Sequence, residues 1–252
     1  MSEREVQRVI RAQEMAEGAG VTVRRAIGTQ EAIYLDPFLL LDEAFIPSGT
    51  GFPPHPHRGF QAVSYVLAGA MAHEDSAGNV GTLHPGDLQL MVAGKGIVHS
   101  EMPVGDATTH GIQLWINLPP ELKACEPRYQ DHRAAEVPEV LEDTARIKVI
   151  CGSYDSTPGP AQPATPFDYF DVALDTGGFF HHRVAPQDTV LIYMLEGGAR
   201  FGLEGHPVLS GDLAEFGPGT DVVGASPEGC RFLLLAGAKI GAPIVRRGPY
   251  VD

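Results

Sequence analysis

Short apolar segments alternate with turns rich in glycine and proline along the whole chain of 252 residues. Apolar runs of about four to eight residues bounded by such turns are typical of strands, so the pattern predicts an all-β protein. The clearest predicted strands are Gln61–Leu67, Leu88–Val92, Ile112–Asn117, Ile147–Cys151, Val190–Leu195 and Phe232–Leu235. Helical periodicity is weak, and it suggests only three short helices, at Gln13–Ala16, Pro119–Lys123 and Glu136–Leu141.

An internal repeat divides the chain into two halves. Tyr65–Gly69 (YVLAG) resembles Tyr193–Gly197 (YMLEG), and Gly86–Leu88 (GDL) has the same sequence as Gly211–Leu213. The two matches keep their order, and their offsets of 128 and 125 residues are similar. Duplication of a β-rich unit therefore explains them better than chance does.

Two pairs of metal-ligand residues stand out in the first half, His55 with His57 and His99 with Glu101. Side chains on an extended strand alternate between its two faces, so both members of each pair point the same way. Two such strands facing one interior would bring together three imidazoles and one carboxylate. This donor set favours iron or manganese, nickel and copper also accept it, and coordination positions stay open for substrate or dioxygen. We predict that these four residues bind one divalent transition metal.

The repeat predicts two tandem β-barrels, an N-terminal metal-binding domain of residues 1–133 and a C-terminal domain of residues 134–252. In the second half the positions that correspond to the four ligands are occupied by Arg183, Ala185, Gly224 and Ser226. None of these is a good ligand for a transition metal. We therefore expect the C-terminal domain to bind no metal.

Other segments give weaker indications. His73–Asp75 precedes a turn-like sequence and is interpreted as part of a solvated loop. The strand that carries Gln113 and Trp115 either lines the pocket or packs in the core. The proline-rich Ser156–Pro166 is interpreted as an exposed loop of the second half. Arg58 either orients an acidic group or forms an ion pair at the domain interface, and the ion pair is favoured.

Composition narrows the classes of function. The net charge of −14 argues against direct binding to nucleic acid, which requires a basic surface, but it does not exclude a protein partner. The three cysteines are odd in number and form no C-x-x-C motif, so they are interpreted as inert thiols. The first residues lack the apolar region of a signal peptide, and no apolar run is long enough to span a membrane. We expect a cytoplasmic monomer.

These motifs resemble the pirin family, a branch of the cupin superfamily. The similarity includes both ligand segments and extends to Val23–Gly28, Leu35–Glu43, Gly111–Pro119, Pro127–Gln130 and, near the end, Gly248–Val251. The resemblance implies a bicupin, two packed barrels of the jelly-roll type, with the metal in the N-terminal one. It also implies that the metal is usually Fe(II) and that His55, His57, His99 and Glu101 hold it.

The resemblance implies two alternative functions. Some pirins oxidise the flavonol quercetin with dioxygen, so the first is a quercetinase-like dioxygenase with a small aromatic or flavonol-like substrate and Glu101 as the proton acceptor. Other members assist transcription regulators, so the alternative is a redox- or metal-sensing regulatory protein that binds a protein partner. A cupin isomerase or sugar-binding module would need more polar pocket residues. Gln61 replaces a glutamate common in relatives and could alter the pocket, and the end of the chain near Val251 is expected to leave out any tail function.

Overall fold

The structure, a computed structural model, describes residues 2–252 and contains 25 strands and two 3-10 helices over that range. The strands of the first part of the chain are β1 (Val6–Arg11), β2 (Gln13–Glu17), β3 (Val21–Ile27), β4 (Phe38–Ile46), β5 (Phe52–His57), β6 (Phe60–Ala68), β7 (Met71–Asp75), β8 (Val80–Leu83), β9 (Leu88–Val92), β10 (Ile97–Pro103), β11 (Thr109–Asn117) and β12 (Arg128–His132). The later strands are β13 (Glu139–Leu141), β14 (Ala145–Cys151), β15 (Ser153–Tyr154), β16 (Thr157–Pro158), β17 (Asp168–Leu174), β18 (Gly178–Arg183), β19 (Thr189–Phe201), β20 (His206–Leu209), β21 (Asp212–Phe216), β22 (Asp221–Ser226), β23 (Cys230–Gly237), β24 (Arg246–Arg247) and β25 (Tyr250–Val251). The 3-10 helices are Pro120–Leu122 and Ala134–Glu136.

The predicted all-β class is confirmed. All six predicted strands lie within observed ones, namely β6, β9, β11, β14, β19 and β23. Of the three helix candidates, the one at Pro119–Lys123 contains a 3-10 helix. The other two were wrong, because Gln13–Ala16 lies in β2 and Glu139–Leu141 forms β13. No helix within residues 2–252 is long and apolar enough to cross a membrane.

The molecule contains two compact units. The N-terminal residues belong to the second unit, and the C-terminal residues belong to the first. The first barrel contains residues 13–136, 162–165 and 240–252, and the second barrel contains residues 2–12, 137–161 and 166–239. The domain division predicted between residues 133 and 134 stays a prediction. Beyond that prediction, the first strand packs in the second barrel and the last residues pack in the first.

The first barrel is formed by a seven-stranded and a four-stranded sheet. Their strand orders are β12-β9-β6-β11-β4-β3-β2 and β5-β10-β7-β8. Strand β6 is buried on both faces over most of its length, whereas β10 alternates between buried and exposed residues. The alternation in β10 turns His99 and Glu101 inward and Val98 and Met102 outward, as the period of two residues predicts.

The second barrel has a densely packed aromatic interior within one ten-stranded sheet. Phe180, Phe201 and Phe232 are fully buried, and Phe232 makes edge-to-face contacts with the other two at ring-centroid distances of 5.4 and 5.5 Å. Gly224, the counterpart of His99, faces the ring of Phe201, and a Cβ atom at Gly224 would lie 2.3 Å from that ring. No imidazole fits at this position without displacing the phenylalanine. The absence of a metal from this barrel stays a prediction.

The internal repeat is visible in the pairing register of the two barrels. Tyr65 pairs with Leu88 across β6 and β9, and Tyr193 pairs with Leu213 across β19 and β21. The aspartates of the Gly-Asp turns also have equivalent contacts. Asp87 Oδ2 accepts the amide N–H of His84 at 3.0 Å, and Asp212 Oδ2 accepts that of Leu209 at 2.9 Å. The equivalent register and turn contacts support duplication of one unit.

Asp87→Asn is expected to destabilise the first barrel near neutral pH by about 1–3 kcal/mol, because Asp87 also binds Arg133 and the N–H of Ala134. Burial opposes ionisation of Asp87, but its hydrogen bonds and Arg133 outweigh burial and hold its pKa below the ordinary value of 3.8. A depressed pKa stabilises the fold above the unfolded-state pKa, and this stabilisation is lost as the pH falls below about 4. Urea unfolding measures the free energy of unfolding of the wild type and of the variant. The difference between the two should be smaller at pH 3 than at pH 7. The exposed Asp106→Asn is the control, and an equal loss at both pH values would contradict the prediction.

Candidate metal centre

Three histidines come together on two neighbouring antiparallel strands of the first barrel. His99 on β10 pairs with His55 on β5, and Ile97 pairs with His57. The ring centroids of the three imidazoles are 4.5 to 4.9 Å apart, and one nitrogen of each lies within 4.8 Å of the others. His57 and His99 are buried and His55 is half-buried. The sequence pattern predicted two strands facing one interior, and the two strands are neighbours in one sheet.

Glu101, the fourth predicted ligand, lies beside the three histidines. Its Oε2 atom is 4.0 Å from His99 Nε2, and its Oε1 atom accepts a hydrogen bond of 2.9 Å from Ser64 Oγ. The register between β10 and β5 shifts between His99 and Glu101, so that Glu101 pairs with Phe52. The carboxylate is buried and close to the imidazoles, but it is not part of their tightest cluster.

The hydrogen bonding of the imidazoles fits a divalent metal. His55 Nδ1–H donates to the carbonyl of Pro53 at 2.8 Å, which leaves Nε2 with a free lone pair. Among residues 2–252, both ring nitrogens of His99 and Nδ1 of His57 are buried without a hydrogen-bond partner. Such atoms cost about 1–3 kcal/mol each when they stay unpaired. A metal bound by the cluster would supply a partner for one of the nitrogens of His99.

The charge state of the imidazoles also suits metal binding. Burial, followed by the proximity of His99 and His55, lowers the pKa of His57 to about 2. Burial is also the main cause of the lowered pKa of His99. Both rings are therefore neutral at pH 7, and neutral imidazole is the form that binds a metal.

A cavity of about 530 Å³ opens onto the cluster within the first barrel, and His55, His57 and Glu101 are part of its wall. Its remaining wall is largely apolar and includes Val23, Leu40, Ala44, Ile46, Phe52, Met71, Ile112 and Trp115. Cavities of this size with a few polar groups hold small organic ligands. Gln113 and Trp115 both line the cavity, and Trp115 also belongs to a core cluster with Phe60, so both alternatives hold for their strand.

Ser64 and Gln113 orient the carboxylate of Glu101. Ser64 Oγ lies 2.9 Å from Glu101 Oε1 and 2.6 Å from the side-chain amide of Gln113. A hydroxyl has one proton to donate, so Ser64 serves either Glu101 Oε1 or Gln113 Oε1. When Glu101 accepts the proton, the Gln113 amide is turned so that its N–H donates to Ser64. The sequence does not mark Ser64 as a functional residue, because Ser64 lies within an apolar strand and belongs to no metal-ligand motif.

The C-terminal residues complete the cavity. Gly248 and Pro249 line it, and Val251 is fully buried next to them. The amide of Val251 donates to the carbonyl of Arg58 at 2.9 Å, and the Arg58 guanidinium binds the side chain of Asp252 at 2.8 Å. The prediction that Arg58 forms an ion pair between domains was therefore wrong, because both partners belong to the first barrel.

Gly59→Ala is expected to detach this C-terminal segment and to destabilise the first barrel by at least about 2 kcal/mol. Gly59 has a φ of +82°, and a Cβ atom at this position would lie 1.7 Å from the carbonyl oxygen of Val251. Gly49→Ala is the matched control, since its φ of +80° is similar but its Cβ would have no neighbour within 4 Å. Chemical denaturation of both variants separates steric contact from backbone strain. Equal destabilisation would show that the contact is unimportant.

Two further interpretations of the sequence need correction. His73 and Asp75 are buried on β7 beside β10 instead of lying in a solvated loop, and His73 Nε2 contacts Asp131 Oδ2 at 3.2 Å. Gln61 does not line the cavity. Its buried amide donates to the carbonyl of Thr165 and accepts the N–H of Ala164, so it fixes the end of the proline-rich segment to the first barrel.

A pair of β-barrels related by an internal repeat, with three histidines on neighbouring strands of one, defines a bicupin. The chain belongs to the pirin family, because residues 20–116 match the Pirin family and residues 169–252 match the Pirin C-terminal cupin domain. It is 41% identical over 260 residues to a pirin-like protein of Caulobacter vibrioides, and the match covers 100% of this chain and 93% of that protein.

The comparison with solved structures agrees with the assignment to this family. The fold is similar to a quercetin 2,3-dioxygenase from Acinetobacter baumannii, with a TM-score of 0.92, 29% identity and coverage of 99% of this chain and 92% of that chain. It is also similar to GK1651 from Geobacillus kaustophilus, with a TM-score of 0.89, 32% identity and coverage of 96% and 99%. The predicted family and bicupin fold are therefore confirmed.

Proposed function

We propose that this protein is a metal-dependent dioxygenase that opens a ring of a small aromatic, flavonol-like substrate. The observation that carries the proposal is the convergence of three imidazoles, with Glu101 beside them, on an apolar cavity of about 530 Å³. Similarity to a quercetin 2,3-dioxygenase supports it. His55, His57, His99 and Glu101 would hold the metal, which we propose is Fe(II), with Mn(II), Ni(II) and Cu(II) as alternatives.

The donor set and the cavity define what each part contributes. A bound divalent metal would supply Lewis acidity and open positions for substrate oxygen and dioxygen. The apolar wall excludes water and holds the aromatic body of the substrate. Glu101 Oε2 is free of the Ser64 hydrogen bond and can accept a proton from a substrate hydroxyl, while Ser64 holds Oε1 in place.

Aerobic turnover of quercetin tests the proposal. Protein reconstituted without oxygen with Fe(II), Mn(II), Ni(II) or Cu(II) is mixed with quercetin in air, and dioxygen uptake and the flavonol absorption are followed. Metal-dependent turnover that disappears in His57→Ala is the expected result. If every metal binds in a 1:1 ratio and none supports oxidation of quercetin, the regulatory alternative with a protein partner becomes the better explanation. A cytoplasmic location, a monomeric state and no direct contact with nucleic acid stay predictions.

A further inference from the structure

Arg246 brings a positive charge to the wall of the metal-side cavity. It lies on β24, in the C-terminal segment of the first barrel, and it lines the cavity together with Trp115. Its guanidinium carbon is 5.0 Å from the centroid of the Trp115 ring, and the same ring contacts His57 edge-to-face at 5.0 Å. One indole ring therefore separates the guanidinium from the histidine cluster.

The hydrogen bonds of Arg246 leave much of its capacity unused. Its Nε and Nη1 atoms donate to the carbonyls of Gly248 and Leu39 over long distances of 3.3 and 3.4 Å. A guanidinium has five N–H donors, so donors remain for a ligand. Within residues 2–252, no carboxylate lies within ion-pair distance of Arg246.

Arg25, the other arginine of the cavity wall, is in the opposite situation. It makes two hydrogen bonds of 2.8 and 2.6 Å to Asp42 and an ion pair of 2.8 Å with Glu17. Burial would lower the pKa of Arg25, but these carboxylates raise it above the ordinary value. For Arg246, burial and then the charge of Arg25 lower the pKa, and Asp42 and Glu17 do not make up the difference. Arg25 is paired directly with two carboxylates, whereas Arg246 is only partly compensated by the same two groups.

Trp115 lies in the same wall, and its ring contacts both Arg246 and Phe60. Its side chain is 8% exposed, and its Nε1–H is buried without a hydrogen-bond partner among the described residues. Phe60 stacks on the indole at 4.1 Å and fixes the orientation of the ring. The wall therefore presents an incompletely compensated guanidinium held over an indole ring of fixed orientation.

We propose that Arg246, held over the Trp115 ring, forms a carboxylate subsite, so that the natural ligand is an aromatic acid whose other oxygens face the histidine cluster. Guanidinium binds carboxylate with two parallel charge-assisted hydrogen bonds, and removal from water strengthens them. The apolar residues of the wall contact the ring that joins the two ends of the ligand. The orientation toward the histidines rests on the proposed function, whereas the carboxylate subsite does not.

Binding of two matched probes tests the subsite without turnover. Zinc-loaded protein is titrated with 3,4-dihydroxybenzoate and with its neutral analogue 3,4-dihydroxybenzamide. Trp115 is the one tryptophan of the chain, so its fluorescence reports on the cavity directly. The acid is expected to bind about 10–100-fold more tightly than the amide. Arg246→Gln should remove this preference by weakening the acid alone, Arg246→Lys should keep part of it, and the exposed neighbour Arg247→Gln should keep all of it.

Two results would overturn the subsite. One is equal affinity of the wild-type protein for acid and amide, a measurement that does not depend on the folding of any variant. The other is a preference for the acid that survives in Arg246→Gln. A wrong assignment of the dioxygenase function would give a different result. The binding preference for the acid would persist, but the Fe(II) protein would consume no dioxygen with either flavonol or acid.

Discussion

Glu101→Gln is expected to retain most of the bound metal and to lower ring-opening turnover by about 10²–10⁴-fold. The amide keeps the size of the carboxylate and can still accept the hydrogen bond from Ser64. It cannot take up a proton from a substrate hydroxyl, because an amide oxygen is a much weaker base. The three imidazoles, which form the tightest cluster, are unchanged. Metal content by mass spectrometry and dioxygen uptake on the same preparation separate the two effects.

Glu74→Gln is the matched control, since Glu74 is exposed on the neighbouring strand β7 and undergoes the same chemical change. Its turnover should equal that of the wild type. Ser64→Ala keeps the carboxylate but removes the hydrogen bond to Oε1, so its turnover should fall between the two. Full turnover by Glu101→Gln would remove this residue from the mechanism. Loss of the metal from Glu101→Gln would show that the main role of Glu101 is to bind the metal.

His57→Ala is expected to weaken metal binding by at least about 100-fold, since one of three clustered imidazoles is lost. Metal at 100 times the dissociation constant stabilises a folded protein by about 2.7 kcal/mol. This stabilisation should be nearly absent from the variant at the same metal concentration. The metal-free variant should keep its fold, because the substitution also removes Nδ1, a buried nitrogen without a hydrogen-bond partner. Calorimetric melting with and without added metal measures both quantities.

His84→Ala serves as the control, because its imidazole is exposed in the same barrel and lies outside the cluster. Its metal-dependent shift in melting temperature should equal that of the wild type. An unchanged shift in His57→Ala would place the metal elsewhere. Loss of the fold in the absence of metal would instead assign a packing role to His57, whose ring contacts Phe60 and Trp115.

Features with a local physical cause were predictable from the sequence. Alternation of side chains along a strand placed His55 with His57 and His99 with Glu101 on common faces, and three of these four residues form the tight cluster. The Gly-Asp turns and the tyrosines before them indicated the repeat, and the pairing of Tyr65 with Leu88 recurs as that of Tyr193 with Leu213. The identity of the metal and the role of Glu101 stay proposals.

Features set by distant contacts were not predictable. Residues Gln13–Glu17 have good intrinsic helix propensity, yet they form β2 because pairing with β3 satisfies their backbone groups. His73 was predicted to lie in a solvated loop because its neighbours have a loop-like composition. It is buried instead, because its strand β7 pairs with β10. Ser64 became relevant only when β6 and β10 approached each other across the barrel. Likewise, no local pattern indicates that Arg246 lines the cavity. The first residues of the cavity wall lie more than 200 positions earlier in the sequence.

The first barrel contains the C-terminal residues of the chain, so it is completed last during synthesis at the ribosome. Chains emerge from the N-terminus, and domains generally fold as they become available. Here the wall formed by Arg246, Gly248 and Pro249 is translated after the whole of the second barrel. The histidine strands therefore leave the ribosome long before the segment that closes their cavity. A nascent chain stalled before residue 240 would hold the metal-ligand residues in an open, unfinished barrel, and metal acquired at that stage would be exposed to solvent and to competing chelators.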